Sequence, residues 1–264
     1  MKKTVSTLMI ALLISLNFIA CKQKEQPILA KNSNPEIIDN TPQTFGKYKI
    51  NKAVAEGNLQ VFLLNGKDEL ATKNYTTLAR AMDKNKVTVK ETGNVNQLAI
   101  SNDSDAYVFI HSGDIVKGGK QDRTIAQDVI IPPRSKDVPL ESFCVEQGRW
   151  KQRTGENVDK FGSSNKMVSS RKLKLAAKYE KNQGKVWANV AEEQTKLKDN
   201  VSKLNGKDAE VKSDVSATSL QLTLESEELD EAKKKLEATY KSLLKDNDTA
   251  IGYAYAINGE IYGV

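Results

Sequence analysis

Residues 87–145 read VTVKETGNVNQLAISNDSDAYVFIHSGDIVKGGKQDRTIAQDVIIPPRSKDVPLESFCV. This run decides the fold. Short apolar segments at 87–91, 95–100, 106–110, 125–131 and 138–145 are separated by Gly, Asn, Asp, Ser and Pro. Val, Ile, Thr, Tyr and Phe favour extended backbone, and the separators favour turns. So many short strands predict an antiparallel sheet or sandwich, not an alternation of strand and helix. The run Ser101-Asn102-Asp103-Ser104-Asp105 is expected as a turn. A cation site there would want the Asp-x-Asn-x-Asn-Gly frame of a calcium loop, which the chain lacks.

Upstream, residues 45–64 predict two more strands around Glu56-Gly57-Asn58, with Gly46 and Gly57 as punctuation. Residues 74–82 predict a short amphipathic helix with Leu78 and Met82 on one face and Ala81 beside them. Downstream of about residue 163 the period changes. Residues 169–182 carry a weak helical repeat through Leu173, Ala176, Ala177 and Glu180, which Gly184 interrupts. A second helical run follows to about Asp199, with Trp187, Val190 and Ala191 as its packing face. Residues 201–219 are rich in Ser and Asp and poor in strand formers.

Residues 227–246 form the strongest helical pattern, with Leu229, Ala232, Leu236, Tyr240 and Leu243 at threes and fours. Ser226 is placed to cap it, Glu227 and Glu228 complement its N-terminus, and Lys241 and Lys245 its C-terminus. The repeat is too short for a coiled coil, so these helices are expected to cover the sheet. Residues 250–264 predict a hairpin around Asn258-Gly259, with the chain stopping soon after the second arm begins.

The expected fold is therefore α+β: a mainly antiparallel β sheet or sandwich with packed helices in the C-terminal half. It is expected as one domain over 45–264, β-rich at 45–155, helical at 165–246, with the terminal hairpin at 250–264. One unit would bury Trp187 and Leu236 against strand residues such as Val108 or Val129. The alternative is two domains that meet near residues 161–164.

The first 21 residues, MKKTVSTLMIALLISLNFIAC, carry an address. Lys2 and Lys3 precede an apolar run, and Phe18-Ile19-Ala20-Cys21 has the form of a bacterial lipobox. Residues 1–20 are expected as a lipoprotein signal peptide, with Cys21 as the lipidated first residue of the mature chain. Several acyl chains of the palmitate kind would hold the protein stably on a membrane. The apolar run is short for a span, and no stop-transfer block follows it. Residues 21–44 are polar and hold Pro27, Pro35 and Pro42, which predicts a flexible tether. Lys22 is not the Asp of inner-membrane retention, so within the cell envelope and periplasm the outer membrane is the favoured location.

Composition narrows the partners. The formal charge of the 264-residue chain is +6, and loss of Lys2 and Lys3 with the signal takes it to about +4. Basic and acidic residues interleave and aromatics are sparse, so no nucleic-acid stripe is present. The cysteines are Cys21 and Cys144. Lipidation of Cys21 leaves Cys144 a lone thiol, expected to be buried in a strand as a small hydrophobe. His111 is the single histidine, so a hydrolytic triad would have to use it as its base, and a multi-imidazole zinc site is excluded. No cofactor or metal is expected.

The densest unusual chemistry lies at 111–153. Gly113-Asp114-Ile115-Val116-Lys117-Gly118-Gly119-Lys120-Gln121-Asp122-Arg123-Thr124 is followed, one strand later, by Cys144-Val145-Glu146-Gln147-Gly148-Arg149-Trp150. Gly118 and Gly119 permit an anion nest, and Lys120, Arg123 and Arg149 add cationic donors. Gln121, Glu146, Gln147 and Trp150 complete the candidate ligand site, with Arg149 as its anchor between Gly148 and Trp150. The other reading is a scaffold, in which Asp114, Asp122 and Glu146 pair with the arginines and lock two turns together. The Gly-Gly-Lys here lacks the frame of a nucleotide-binding loop.

These two runs resemble the signature of the ARG and rhodanese-phosphatase-superfamily-associated protein domain. The resemblance extends from about Tyr48 to the end, supported at 78–91, 101–102, 183–190 and 252–259. It implies a fold unit and no established activity. Family members continue past the final hairpin into a further apolar helical segment, so Val264 is expected to mark a truncation or an early end. The exported, lipid-anchored context is a second departure.

Function is thus expected to be that of a lipid-anchored envelope protein acting as a non-catalytic binding or interaction module. Its partners would be membrane lipid through Cys21 and an envelope protein or small anionic ligand. The rival is an enzyme or sensor for a phosphate- or carboxylate-bearing ligand, with Asp114 or Glu146 as acid or base.

Overall fold

The computed structural model describes residues 42–263, apart from 71, 169, 242, 244 and 246. The expected signal peptide, Cys21 and nearly all of the expected tether lie outside the described residues. The architecture is α+β, with mainly antiparallel sheets and with helices mostly in the C-terminal half.

The outer sheet joins the two ends of the described chain. It contains β1 (Gln43–Phe45), β2 (Tyr48–Ile50), β3 (Val54–Glu56), β4 (Leu59–Asn65), β14 (Ala250–Ile257) and β15 (Glu260–Gly263). Its order is β1-β2-β4-β14-β15, and β3 also pairs with β4. The Asn258-Gly259 turn forms as expected, with both residues at positive φ, as a two-residue hairpin requires. Asn58 donates to the Asn258 side chain at 2.8 Å, so two turns 200 residues apart are tied together.

The central sheet has the order β13-β9-β10-β12-β7-β6. Its strands are β6 (Val87–Glu91), β7 (Gln97–Asn102), β9 (Ile115–Gly118), β10 (Arg123–Ile125), β12 (Val138–Cys144) and β13 (Phe161–Gly162). A third, three-stranded sheet holds β5 (Tyr75–Thr77), β8 (Tyr107–Ile110) and β11 (Val129–Ile131), with β5 parallel to β8. The turn at 101–105 is built on buried Asn102, which donates to the carbonyls of Ala106 and Pro132 and accepts from Ser104.

Several expected elements differ. The helix at 74–82 is a strand to Thr77 and a helix, α1 (Leu78–Asp83), only after it. Tyr75, Thr76 and Thr77 pair with β8, and the Thr77 hydroxyl caps the helix. The strand expected at 125–131 is two strands in different sheets. The Ala126 N–H still bonds the Glu141 carbonyl, in register with β10 and β12, and the Asp128 carboxylate then accepts the Ser112 N–H, so the chain leaves the central sheet between Ala126 and Val129.

Helix α2 (Arg171–Leu175) runs into a π turn at Ala176–Glu180. The break falls at Lys181, with φ of 50°, not at Gly184, which lies inside the first turn of α3 (Gln183–Asn205). Asn182 caps α3 through the Lys185 N–H. Helix α3 passes Asp199 and ends at Gly206, whose positive φ suits a helix C-terminus. A short helix, α4 (Leu220–Leu224), was not expected, and α5 (Glu227–Lys241) follows it. The Ser226 hydroxyl is buried without a hydrogen-bond partner, so it does not cap α5.

Two apolar clusters position the charged region. One contains Val89, Leu98, Ile100, Val108, Ile110 and Ile131. The other joins strands to helices through Ile115, Phe143 and Val145 on one side and Leu173, Val186, Val190 and Leu220 on the other. The helices thus pack on the side chains of β12 and β9. Val108 and Val129, the contacts expected from the sequence, belong to the first cluster.

Candidate functional site

The β9–β10 turn, the segment after β12 and the N-terminus of α4 meet beside the second cluster. Four charged side chains are buried there. Asp122 and Glu146 are fully buried, and Arg149 and Arg153 nearly so. Arg153 grips Asp122 with two parallel bonds, Nη1 to Oδ2 at 2.9 Å and Nη2 to Oδ1 at 2.5 Å. Asp122 also accepts the Gly118 N–H at 2.9 Å and the Ser219 hydroxyl at 2.8 Å. Ser219 in turn accepts the Leu222 N–H, so the same network caps α4.

Arg149 donates from Nε to Glu146 Oε1 at 2.7 Å, and from its Nη groups to the carbonyls of Gly118, Gly119 and Lys151. Glu146 accepts the Asp122 N–H as well. A charged quartet in which the buried carboxylates meet the guanidiniums is what burial of charge requires.

The electrostatics follow. Burial raises Asp122 above the usual carboxylate range, the Glu146 carboxylate adds to this, and Arg153 opposes it. Burial pushes Glu146 up too, but bonds from Arg149, Ser216 and the Asp122 N–H outweigh it and hold Glu146 low. Glu146 is therefore a fixed anion and a poor general acid. Asp114 is raised, chiefly by burial, with its Oδ2 accepting the His111 N–H.

The sequence-derived candidates divide. The nest is occupied: the Gly118 N–H goes to Asp122, the Gly119 N–H to the Asn157 carbonyl at 3.1 Å, and the Lys120 N–H to Glu91 at 3.4 Å. Glu146 and Arg149 are closed on each other. Gln121 is buried against Arg123, and Gln147 borders a separate cavity of about 30 Å³ beside Trp187 and Thr218.

Lys120, Arg123 and Trp150 instead line an open pocket of about 250 Å³ with Glu91, Val95 and Asp159. Trp150 is 57% exposed. Arg123 is 1% exposed; its Nη1 meets Cys144 Sγ and reaches Gln121 at 3.4 Å. Its Nη2 reaches both Glu91 oxygens only at 3.5 Å, and its Nε is buried with no hydrogen-bond partner. Bonds at 3.5 Å are at the weak limit. Arg153, Ser219 and Glu91 were not among the sequence candidates, and Asp122 was named only in the scaffold reading, as a partner of the arginines. Asp122 and Arg153 lay within the dense 111–153 stretch, whereas nothing local pointed to Glu91 or Ser219.

Cys144 is a free, buried thiol beside Arg123, and burial pushes it up to about 11. That is the environment of an inert thiol. His111 Nε2 lies 3.8 Å from Asp128 Oδ1 on a half-exposed surface. Among the described residues no group of three or more His, Cys, Asp or Glu side chains is arranged to hold a metal ion. No helix among them is long and apolar enough to cross a membrane.

The family model of the ARG and Rhodanese-Phosphatase-superfamily-associated Protein domain matches residues 47–264. The chain belongs to this family. The match takes in every strand from β2 onward, the charged quartet and the pocket. No curated protein and no solved structure matches the chain. Family membership brings a fold unit with it, and the pocket's chemistry has to be read from its own residues.

Proposed function

We propose that this family member is a lipid-anchored protein of the bacterial cell envelope that acts as a non-catalytic binding module, with the Arg123 pocket as its binding site. The observation that carries the reading is the contrast between two sets of arginines a few residues apart. Arg149 and Arg153 spend their donors on buried carboxylates and carbonyls. Arg123 borders an open pocket, reaches its carboxylate and amide acceptors, Glu91 and Gln121, only at 3.4–3.5 Å, and leaves its Nε without a partner. Lys120 adds a second cation, and Trp150 an exposed aromatic surface against which a ligand can pack. The envelope location rests on the lipobox ending at Cys21 and the polar stretch after it.

A binding role fits the lining better than catalysis. Cys144 is an unreactive thiol, Glu146 is a fixed anion, and Asp114 does not line the pocket. The test is thermal denaturation of the full chain in detergent against nucleotides, sugar phosphates, small carboxylates such as benzoate and amino acids such as phenylalanine. A raised midpoint in the wild type that Lys120→Ala abolishes is expected. No shift with any compound would refute the pocket. Cell fractionation of Cys21→Ser tests the anchor: release from the membrane pellet is expected, and unchanged retention would refute it.

A further inference from the structure

The pocket's lining carries both signs of charge. Lys120 and Arg123 supply two cations, and Glu91 and Asp159 supply two carboxylates. A purely anionic ligand would meet the carboxylates, and a purely cationic one would meet Lys120 and Arg123. Each mismatch places like charges together in a partly desolvated site. The two signs are also adjacent: Arg123 Nη2 and the Glu91 oxygens are 3.5 Å apart. A carboxylate and an ammonium carried on the same carbon of one ligand have a similar separation.

Such a ligand could meet Arg123 with its carboxylate and Glu91 with its ammonium. It would replace one long internal contact by charge-assisted bonds. Val95, Val158 and the exposed Trp150 form the apolar part of the lining. A volume of about 250 Å³ suits a small metabolite rather than a drug-sized molecule.

Resting on the reading of this pocket as a binding site, we propose that its ligand is a zwitterionic α-amino acid with an apolar side chain. The carboxylate lies on Arg123 and Lys120, the ammonium on Glu91 and Asp159, and the side chain against Trp150.

The experiment is isothermal titration of the full chain in detergent with phenylalanine, N-acetylphenylalanine, phenylalaninamide and benzoate. Phenylalanine is expected to bind, and each analogue lacking one charge to bind about tenfold or more weakly, the usual worth of a lost charged hydrogen bond. Asp159→Asn is exposed and keeps its backbone, so it tests the ammonium side without unfolding. It should weaken phenylalanine and leave N-acetylphenylalanine unchanged. Lys120→Ala should weaken phenylalanine and leave phenylalaninamide unchanged.

Equal affinity for phenylalanine and N-acetylphenylalanine would overturn the zwitterion and leave an anion pocket standing. Binding of benzoate without phenylalanine would do the same. Heat from none of the four compounds would overturn this proposal and count against the pocket itself.

Discussion

Asp122→Ala is the sharpest test of the buried quartet. The substitution removes the acceptor of four hydrogen bonds: two from Arg153, one from the Gly118 N–H and one from the Ser219 hydroxyl. Arg153 would keep Glu156 at 2.9 Å and Glu146 at 3.3 Å, but would lose its bidentate partner in a site with almost no access to water. Breaking a buried ion pair by removing one partner costs about 3–5 kcal/mol. The loss of α4's link to the β9–β10 turn acts in the same direction. For a domain of this size 1 kcal/mol is about 2–4 °C of midpoint, so the fall should be roughly 6–20 °C. The assay is urea denaturation followed by far-UV circular dichroism, with Lys120→Ala as the comparison. Lys120 is exposed, and its removal should change stability by no more than about 0.5 kcal/mol. A loss below about 1 kcal/mol for Asp122→Ala would refute the claim that this network holds the segments together.

Other expectations follow from the same geometry. Glu146 sits below the usual carboxylate range. Its contribution is therefore present above the unfolded value of about 4.3 and is lost as pH falls through its lower folded value. Glu146→Gln should then cost most near neutral pH, and the gap from wild type should narrow in acid; a constant gap in urea titrations would contradict this. Gly119→Ala should destabilise by about 1–3 kcal/mol, because Gly119 holds φ of 56° and a Cβ would lie 2.7 Å from Phe161 and 2.9 Å from Glu91. Calorimetry showing no loss would contradict that. Cys144, raised from 9.0 to about 11, should react with iodoacetamide roughly a hundredfold more slowly than in urea, and rapid native labelling would place it at the surface.

Local chemistry made most of the sheet legible. Gly57 and Asn258-Gly259 need positive φ and mark their turns from sequence alone. The alternation at 87–91 and 138–144 gives β6 and β12 nearly to the residue. What could not be read depends on partners far along the chain. Thr76 and Thr77 are compatible with either state, and the register with Val108 and Phe109 makes them strand. Residues 125–131 look continuous, and the change of partner divides them: β12 is kept as far as Ala126, and β8 is taken up at Val129.

The site follows the same rule. The sequence marks where the unusual residues are, but not which arginine is closed. Arg149 looked like the anchor because of Gly148 and Trp150, yet its acceptors are Glu146, the Lys151 carbonyl and two carbonyls about 30 residues away. Arg123 owes its place in the pocket to Glu91, 32 residues upstream on another strand.

The most direct measurement compares the midpoints of wild type, Arg149→Ala and Lys120→Ala with and without benzoate, at a concentration high enough to offset its missing ammonium. Arg149→Ala should melt well below wild type and retain the benzoate shift, because Arg149 is structural and does not line the pocket. Lys120→Ala should melt with wild type and lose the shift. An Arg149→Ala protein of wild-type stability that no longer responds to benzoate would contradict the division between a locked quartet and an open Arg123 pocket.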